Sequence, residues 1–283
     1  MVIIIKNFTD YSAIFEICKN KNANFKSIEL DFRQAKFINP YDVLLTVQTV
    51  IYIHRYHPDM EISLIMEGVT GKYLSDIGMV DFCSKNHIQP QTIDIIKSQT
   101  AMPIRRIDSS HIEEYRIATL QYIGSFCKGK DLTILSIGIA EAINNVHDHS
   151  QSEIGAYVFC QYFPKSNCIK VCVSDMGIGI PYKVRTFISD LSDIDCINWA
   201  IQPHNTTKSN DRNAGYGLSN IVDFVRGNKG YLQIISGTGR YIIRNGQKYT
   251  YENAINSYIG TLIEFEILVD NLEEKEEMTS QYL

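Results

Sequence analysis

Residues 131–150 read DLTILSIGIAEAINNVHDHS, and the fold of the chain turns on how they are read. Glu141, Asn145 and His149 stand at successive four-residue steps within an apolar pattern that repeats at helical spacing through Ile134, Ile137, Ala140, Ile143 and Val146. Side chains so spaced share one face of an α-helix. The apolar set predicts a helix packed into a core, with Glu141 and Asn145 aimed at something that needs them. The plainer alternative is an amphipathic helix whose polar stripe faces water.

Two glycine-rich segments downstream separate those readings. Residues 169–174 (IKVCVS) read as a buried strand that runs into Asp175-Met176-Gly177-Ile178-Gly179-Ile180-Pro181. A carboxylate at a strand end followed by Gly-x-Gly gives a backbone that can approach a flat ligand closely while the acid accepts from an exocyclic amine. Further on, Gly215-Tyr216-Gly217-Leu218-Ser219-Asn220-Ile221 leads into an apolar run that reads as helix to Val225. Such a loop turns backbone N–H groups and a helix N-terminus towards phosphates. Either glycine segment alone marks an ordinary turn, but the three elements in this order point to a nucleotide.

On these residues the chain resembles the GHKL superfamily of ATP-binding domains, over residues 108–270. The resemblance implies an α+β sandwich with ATP and Mg2+ as ligands. Glu141 and Asn145 match an E-x-x-x-N box in which the Asn coordinates Mg2+ and the Glu positions or deprotonates the attacking nucleophile. Asp175, Gly177 and Gly179 match the adenine-binding box, while Gly215, Gly217 and Leu218 match the loop that closes over the phosphates. Thr261, in Gly260-Thr261-Leu262-Ile263, matches a Gly-Thr pair that opens a late strand near the adenine. The nearest branch is the anti-sigma-factor serine kinases, whose first box also has a His four residues after the Asn, as His149 follows Asn145.

Residues 1–87 read as an α/β unit: strands over 1–5, 27–32 and 61–66, and helices over 40–56 and 73–83. Pro40 suits a first helical turn, where its missing N–H costs nothing. Short strands separated by helices imply crossovers and a mixed or parallel sheet. This part resembles a STAS domain, the fold of anti-sigma-factor antagonists, on Leu30-Asp31-Phe32, then Phe37-Ile38-Asn39-Pro40, then a long apolar helix. It departs from that family where the phosphorylated Ser should stand, since Asn39-Pro40-Tyr41-Asp42 occupies the helix start.

Residues 88–107 hold two prolines and no single period, so they read as a connector with room for a short strand. Ser110-x-x-Glu113 has the form of a capping box opening a helix to about Cys127. His111 in that first turn lacks the proline and the second long helix of a phosphoacceptor hairpin, so it reads as a surface histidine. Residues 155–163 and 168–174 predict a β-hairpin, and 192–201 a helix. The polar segment 204–213 reads as a lid, with Lys208, and less so Arg212, placed to meet phosphate charge; the alternative is a solvated loop. Strands over 231–236, 241–244, 248–251 and 261–268 follow, with a hairpin turning at Asn245-Gly246. Residues 271–283, with Glu273, Glu274, Glu276 and Glu277, read as a frayed acidic tail.

At 283 residues the chain is long enough for two domains, each able to bury its own core. A net charge of −5 argues against a nucleic-acid partner. No apolar run reaches bilayer length, so neither a membrane nor a signal peptide is expected, and a cytoplasmic place is. Seven scattered cysteines without a CxxC pair read as small buried residues. Two functions remain open: an enzyme that transfers phosphoryl from Mg-ATP to water or to a partner's Ser or Thr, and a regulatory module whose nucleotide state changes a protein contact, with a protein partner or a homodimer. A groove for another nucleotide, or for none, is the third.

Overall fold

The computed structural model describes residues 1–6, 8–11, 14, 20, 26–79, 92–93, 100–107, 112–203, 205, 217–252 and 257–275, with backbone alone at 8–9, 92–93, 146–149 and 217. Its first sheet holds β1 (Val2–Ile4), β2 (Ser27–Asp31) and β3 (Glu61–Ile65), all parallel, in that order. Helix α1 (Pro40–Tyr56) makes the crossover from β2 to β3. Pro40 opens it, and Asp42 Oδ2 accepts the Asn39 N–H at 2.8 Å, which satisfies a donor the helix start would leave exposed. Helix α2 (Gly68–Asp76) begins earlier than the predicted 73–83, of which residues 80–83 lie outside the described residues. The stop is conformational: Gly78 takes φ +81 and donates to Ser75 O at 3.0 Å, a left-handed cap that ends the helix.

The second sheet is antiparallel and has eight strands in the order β10-β9-β8-β11-β7-β6-β5-β4. They are β4 (Thr92–Ile93), β5 (Ile104–Ile107), β6 (Ala156–Phe163), β7 (Cys168–Asp175), β8 (Tyr231–Gly237), β9 (Gly239–Arg244), β10 (Gln247–Glu252) and β11 (Tyr258–Leu268). The predicted hairpins stand. The segment read as a connector supplies β4 and β5, because Arg105 pairs with Val158 and Ile107 with Ala156.

Helices α3 (Ile112–Phe126), α4 (Thr133–His149) and α7 (Gly217–Asn228) cover one face of this sheet, while α5 (Gly179–Arg185) and α6 (Asp193–Ala200) follow β7. Along β6 and β7 the side chains alternate: Val158, Cys160, Val171 and Val173 meet the core under α4, and Tyr157, Phe159 and Cys172 point the other way. The buried stripe of α4 is Leu135, Ile139, Ala142 and Ile143. Ile134 and Ile137, predicted to be core, are 51% and 45% exposed. Gly138 beside the Ile221 side chain shows where α7 presses on α4, and that contact sets which flank is covered.

The opposite face of the sheet is covered by α1. Residues 42–51 of this helix are all buried, the polar Asp42, Thr46, Gln48 and Thr49 among them, so it is covered all round and lies between the two sheets. Each fully buried Val, Leu or Ile there contributes roughly 1.5–3 kcal/mol. One hydrophobic core runs from Ile28, Leu30 and Phe32 through Leu44 and Val47 to Phe159, Cys172 and Leu262. A second core, from Met102 to Leu272, lies under α4 within the second half, so the halves share one core and the second half has another of its own.

The acidic tail is anchored at its start, where a frayed end was expected. Asp131 N donates to Glu273 O at 2.9 Å, Lys275 N to Gly129 O at 2.7 Å, and Lys130 Nζ to the Glu274 carboxylate at 2.6 Å. Residues 276–283 lie outside the described residues. No helix among the described residues is long and apolar enough to cross a membrane.

Two acids sit at the seam between α1 and the sheet. Asp42 and Glu264 are 4% and 2% exposed, and one oxygen of each lacks a partner. Burial pushes each carboxyl up to about 7, against the pull of Asn39 and Lys170 on Asp42 and of Lys170 and Gln233 on Glu264. Unfolding returns them to ordinary carboxylates, so between about pH 4 and pH 7 the folded state holds more protons, and their contribution makes stability fall as pH rises through that window. Urea unfolding at about pH 5 and about pH 8 should show Asp42→Asn and Glu264→Gln losing less stability than wild type over that interval. Parallel losses in variant and wild type would refute this.

Candidate functional site

Asp175 ends β7 at 1% exposure. Its Oδ1 accepts the Gly177 N–H at 2.7 Å, and its Oδ2 is buried with no hydrogen-bond partner. Burial pushes the carboxyl up to about 7, while the backbone amides of Gly177 and Thr261 act against that rise. A buried oxygen without a donor is costly, and Asp175 shares this state with Asp42 and Glu264.

The turn after Asp175 is closed by protein backbone. A Cβ on Gly177 would lie 1.8 Å from Ser150 O, the carbonyl that accepts the Ile178 N–H at 2.8 Å. A Cβ on Gly260, at φ +90, would lie 2.2 Å from Asp175 O. Close approach is what the glycines permit, as the sequence implies, but at these two points the close neighbour is the chain's own backbone. Gly179 begins α5, where the next residue, Ile180, donates to Ser236 Oγ at 2.9 Å. Thr261 is 7% exposed, and its hydroxyl lies 3.3 Å from Ser236 Oγ.

Ser150 immediately follows α4, so its bond to Ile178 fastens the end of that helix to the Asp175 turn. Asn145 and Glu141 stand on the same helix, one and two turns earlier, both partly buried. Asn145 Nδ2 is buried without a partner. Gly217 opens α7, which packs along α4, and Leu218 is buried with Ile221 in the core under α4. The fold thus brings the first two motifs together and sets the third in the same layer. Lys208, Arg212 and Gly215, the side chain of His149, Ser110 and His111 lie outside the described residues, while Glu113 of the expected capping box pairs with Arg116.

Among the described residues no group of three or more His, Cys, Asp or Glu is arranged to hold a metal ion. Cys127, Cys160, Cys168, Cys172 and Cys196 are free and buried, as the scattered pattern predicts.

Sequence reasoning misses the polar residues behind Asp175. Tyr258 OH donates to Asp175 O at 3.0 Å and also meets Ser174 Oγ. Ser174 in turn is bound by Gln48 of α1, whose Nε2 donates to Ser174 O at 2.7 Å and whose Oε1 accepts from Ser174 Oγ at 2.8 Å. The available signal was Gln48 itself, an amide in the middle of the apolar run of residues 43–53. No protein-family model matches the chain, and no curated protein does either.

Proposed function

We propose that the chain is a GHKL-type, Mg-ATP-binding protein behind a STAS-like N-terminal unit, which hydrolyses ATP or phosphorylates a protein Ser or Thr in a regulatory role. The observation that carries this reading is Asp175, a fully buried carboxylate with an unpartnered Oδ2 at a strand end. The adenine amino group supplies the donor that oxygen lacks, whereas guanine presents a carbonyl in the same place.

Asn145 would offer its Oδ1 to Mg2+, an ion commonly held by few protein groups. The bound ion supplies charge neutralisation between the phosphates. Glu141 accepts the proton of the attacking water or hydroxyl as the new O–P bond forms and the bond to the departing ADP oxygen breaks. Lys208, with the loop at Gly215 and Gly217, takes the phosphate charge. The test is phosphate release and label transfer from ATP, with the protein alone and with cell lysate. Absence of both in both arms removes the enzyme.

The second reading is a regulatory module with negligible turnover, and the core shared by α1 and the sheet favours it. A half that contributes contacts and no chemistry of its own suits a protein whose nucleotide state changes an interface, with another protein or a second copy as partner. The cytoplasm is the compartment proposed for either function.

The N-terminal unit should not be switched by phosphate at its helix start. Neither Asn39 nor Pro40 can accept one, and of the hydroxyls between Asp31 and Val50, Thr46 and Thr49 are fully buried while Tyr41 is no serine-kinase target. Covalent fusion holds the halves at a high effective concentration without any such signal. Mass spectrometry after incubation with Mg-ATP should find this stretch unmodified; a stoichiometric phosphate there would overturn the expectation.

A further inference from the structure

A primary amide removed from water needs partners for both its oxygen and its nitrogen. Gln48 is fully buried in α1, and it finds both partners on Ser174 of the other sheet. Ser174 directly precedes Asp175. Its hydroxyl, whose proton goes to Gln48 Oε1, accepts from Tyr258 OH, and the one Tyr258 proton is shared between Ser174 Oγ and the carbonyl of Asp175. Four buried groups therefore run from the middle of α1 to the backbone of the acid at the candidate site.

The place where this chain of bonds ends is where the sheet stops helping. On the β6 side Asp175 still pairs with Ala156, but on the β11 side the register ends one residue earlier, at Leu262 opposite Ser174. Beyond that point β11 enters the irregularity between Tyr258 and Thr261. The direction of the Asp175 carboxylate thus rests on one ladder, the Gly177 and Thr261 amides, and the polar chain from Gln48.

We infer that Gln48 is a positioning residue for the nucleotide site, so that the seating of α1 against the sheet sets nucleotide affinity. With α1 seated, the end of β7 is held and Asp175 Oδ2 faces the adenine amine. With α1 displaced, Ser174 and Tyr258 lose their anchor and the acid loses its fixed direction. The dependence is reciprocal: a nucleotide that prefers the seated state stabilises the contact between the halves. This regulation rests on the reading of Asp175 as the adenine acceptor.

The test uses the full chain and calorimetry with ATP and ADP in Mg2+. Gln48→Leu and Ser174→Ala should each weaken both nucleotides alike by about tenfold, within the usual range of coupling between sites. The Mg2+ dependence of binding should not change, because the perturbed end is the adenine end. The double variant should be no weaker than the poorer single one, since both cut the same chain. In wild type, ATP should slow hydrogen exchange of the α1 amides, a readout that needs no variant to fold. A folded Gln48→Leu protein with wild-type affinity, additive losses in the double variant, or α1 exchange indifferent to ATP would each overturn the inference while leaving the nucleotide reading in place. Wild type that binds no nucleotide sinks both.

Discussion

Asp175→Ala abolishes ATP binding in the expected result, and Asp175→Asn does the same. The wild-type carboxylate is fully buried, with Oδ1 committed to Gly177 and Oδ2 held without a partner. The alanine variant leaves the adenine amine buried without an acceptor, and the asparagine variant can set an N–H against that amine. An unmatched buried donor costs about 2 kcal/mol or more, and losing a charged acceptor lies at the upper end of that range. GTP should bind wild type poorly, because its carbonyl would face the same acid. Calorimetry measures both effects, with thermal melting as the check that each variant folds. Equal affinity of wild type for ATP and GTP would remove the adenine assignment.

The second large effect separates two residues of one helix. Asn145→Ala should lose the Mg-dependent part of nucleotide affinity, since it deletes a hard oxygen ligand from an ion that has few from the protein. Glu141→Gln should leave binding intact and lower turnover by about a hundredfold or more, the scale of a general base that acts on the nucleophile and not on the bound ground state. Binding isotherms with and without Mg2+, run beside phosphate-release rates, resolve the two. If Glu141→Gln weakens binding as much as Asn145→Ala, the role given to Glu141 is wrong. If wild type shows no turnover with any partner, and Glu141→Gln leaves partner binding and its nucleotide dependence unchanged, the regulatory module stands alone.

What the sequence by itself determined was local. Pro40 with Asp42 set the start of α1, the alternating runs set the β6–β7 hairpin, and the motif order named Glu141, Asn145 and Asp175 before any packing was known. These features depend on neighbours a few residues apart, which a period or a cap encodes directly. The uncovered flank of α4 at Ile134 and Ile137 was not legible, because both flanks are apolar and only α7 decides between them. The connector at 88–107 left room for a short strand but not its place, and 92–93 and 104–107 became strands through their partners in the sheet. The largest item left to tertiary structure was the position of α1. An apolar run of residues 43–53 says that the helix is buried, but not by what. Only the folded chain shows that its far side is the sheet carrying Asp175, and that Gln48, which no local pattern explains, is paired there with Ser174. The physical reason is that a buried amide is satisfied by residues distant in sequence, and such pairing leaves no period to read.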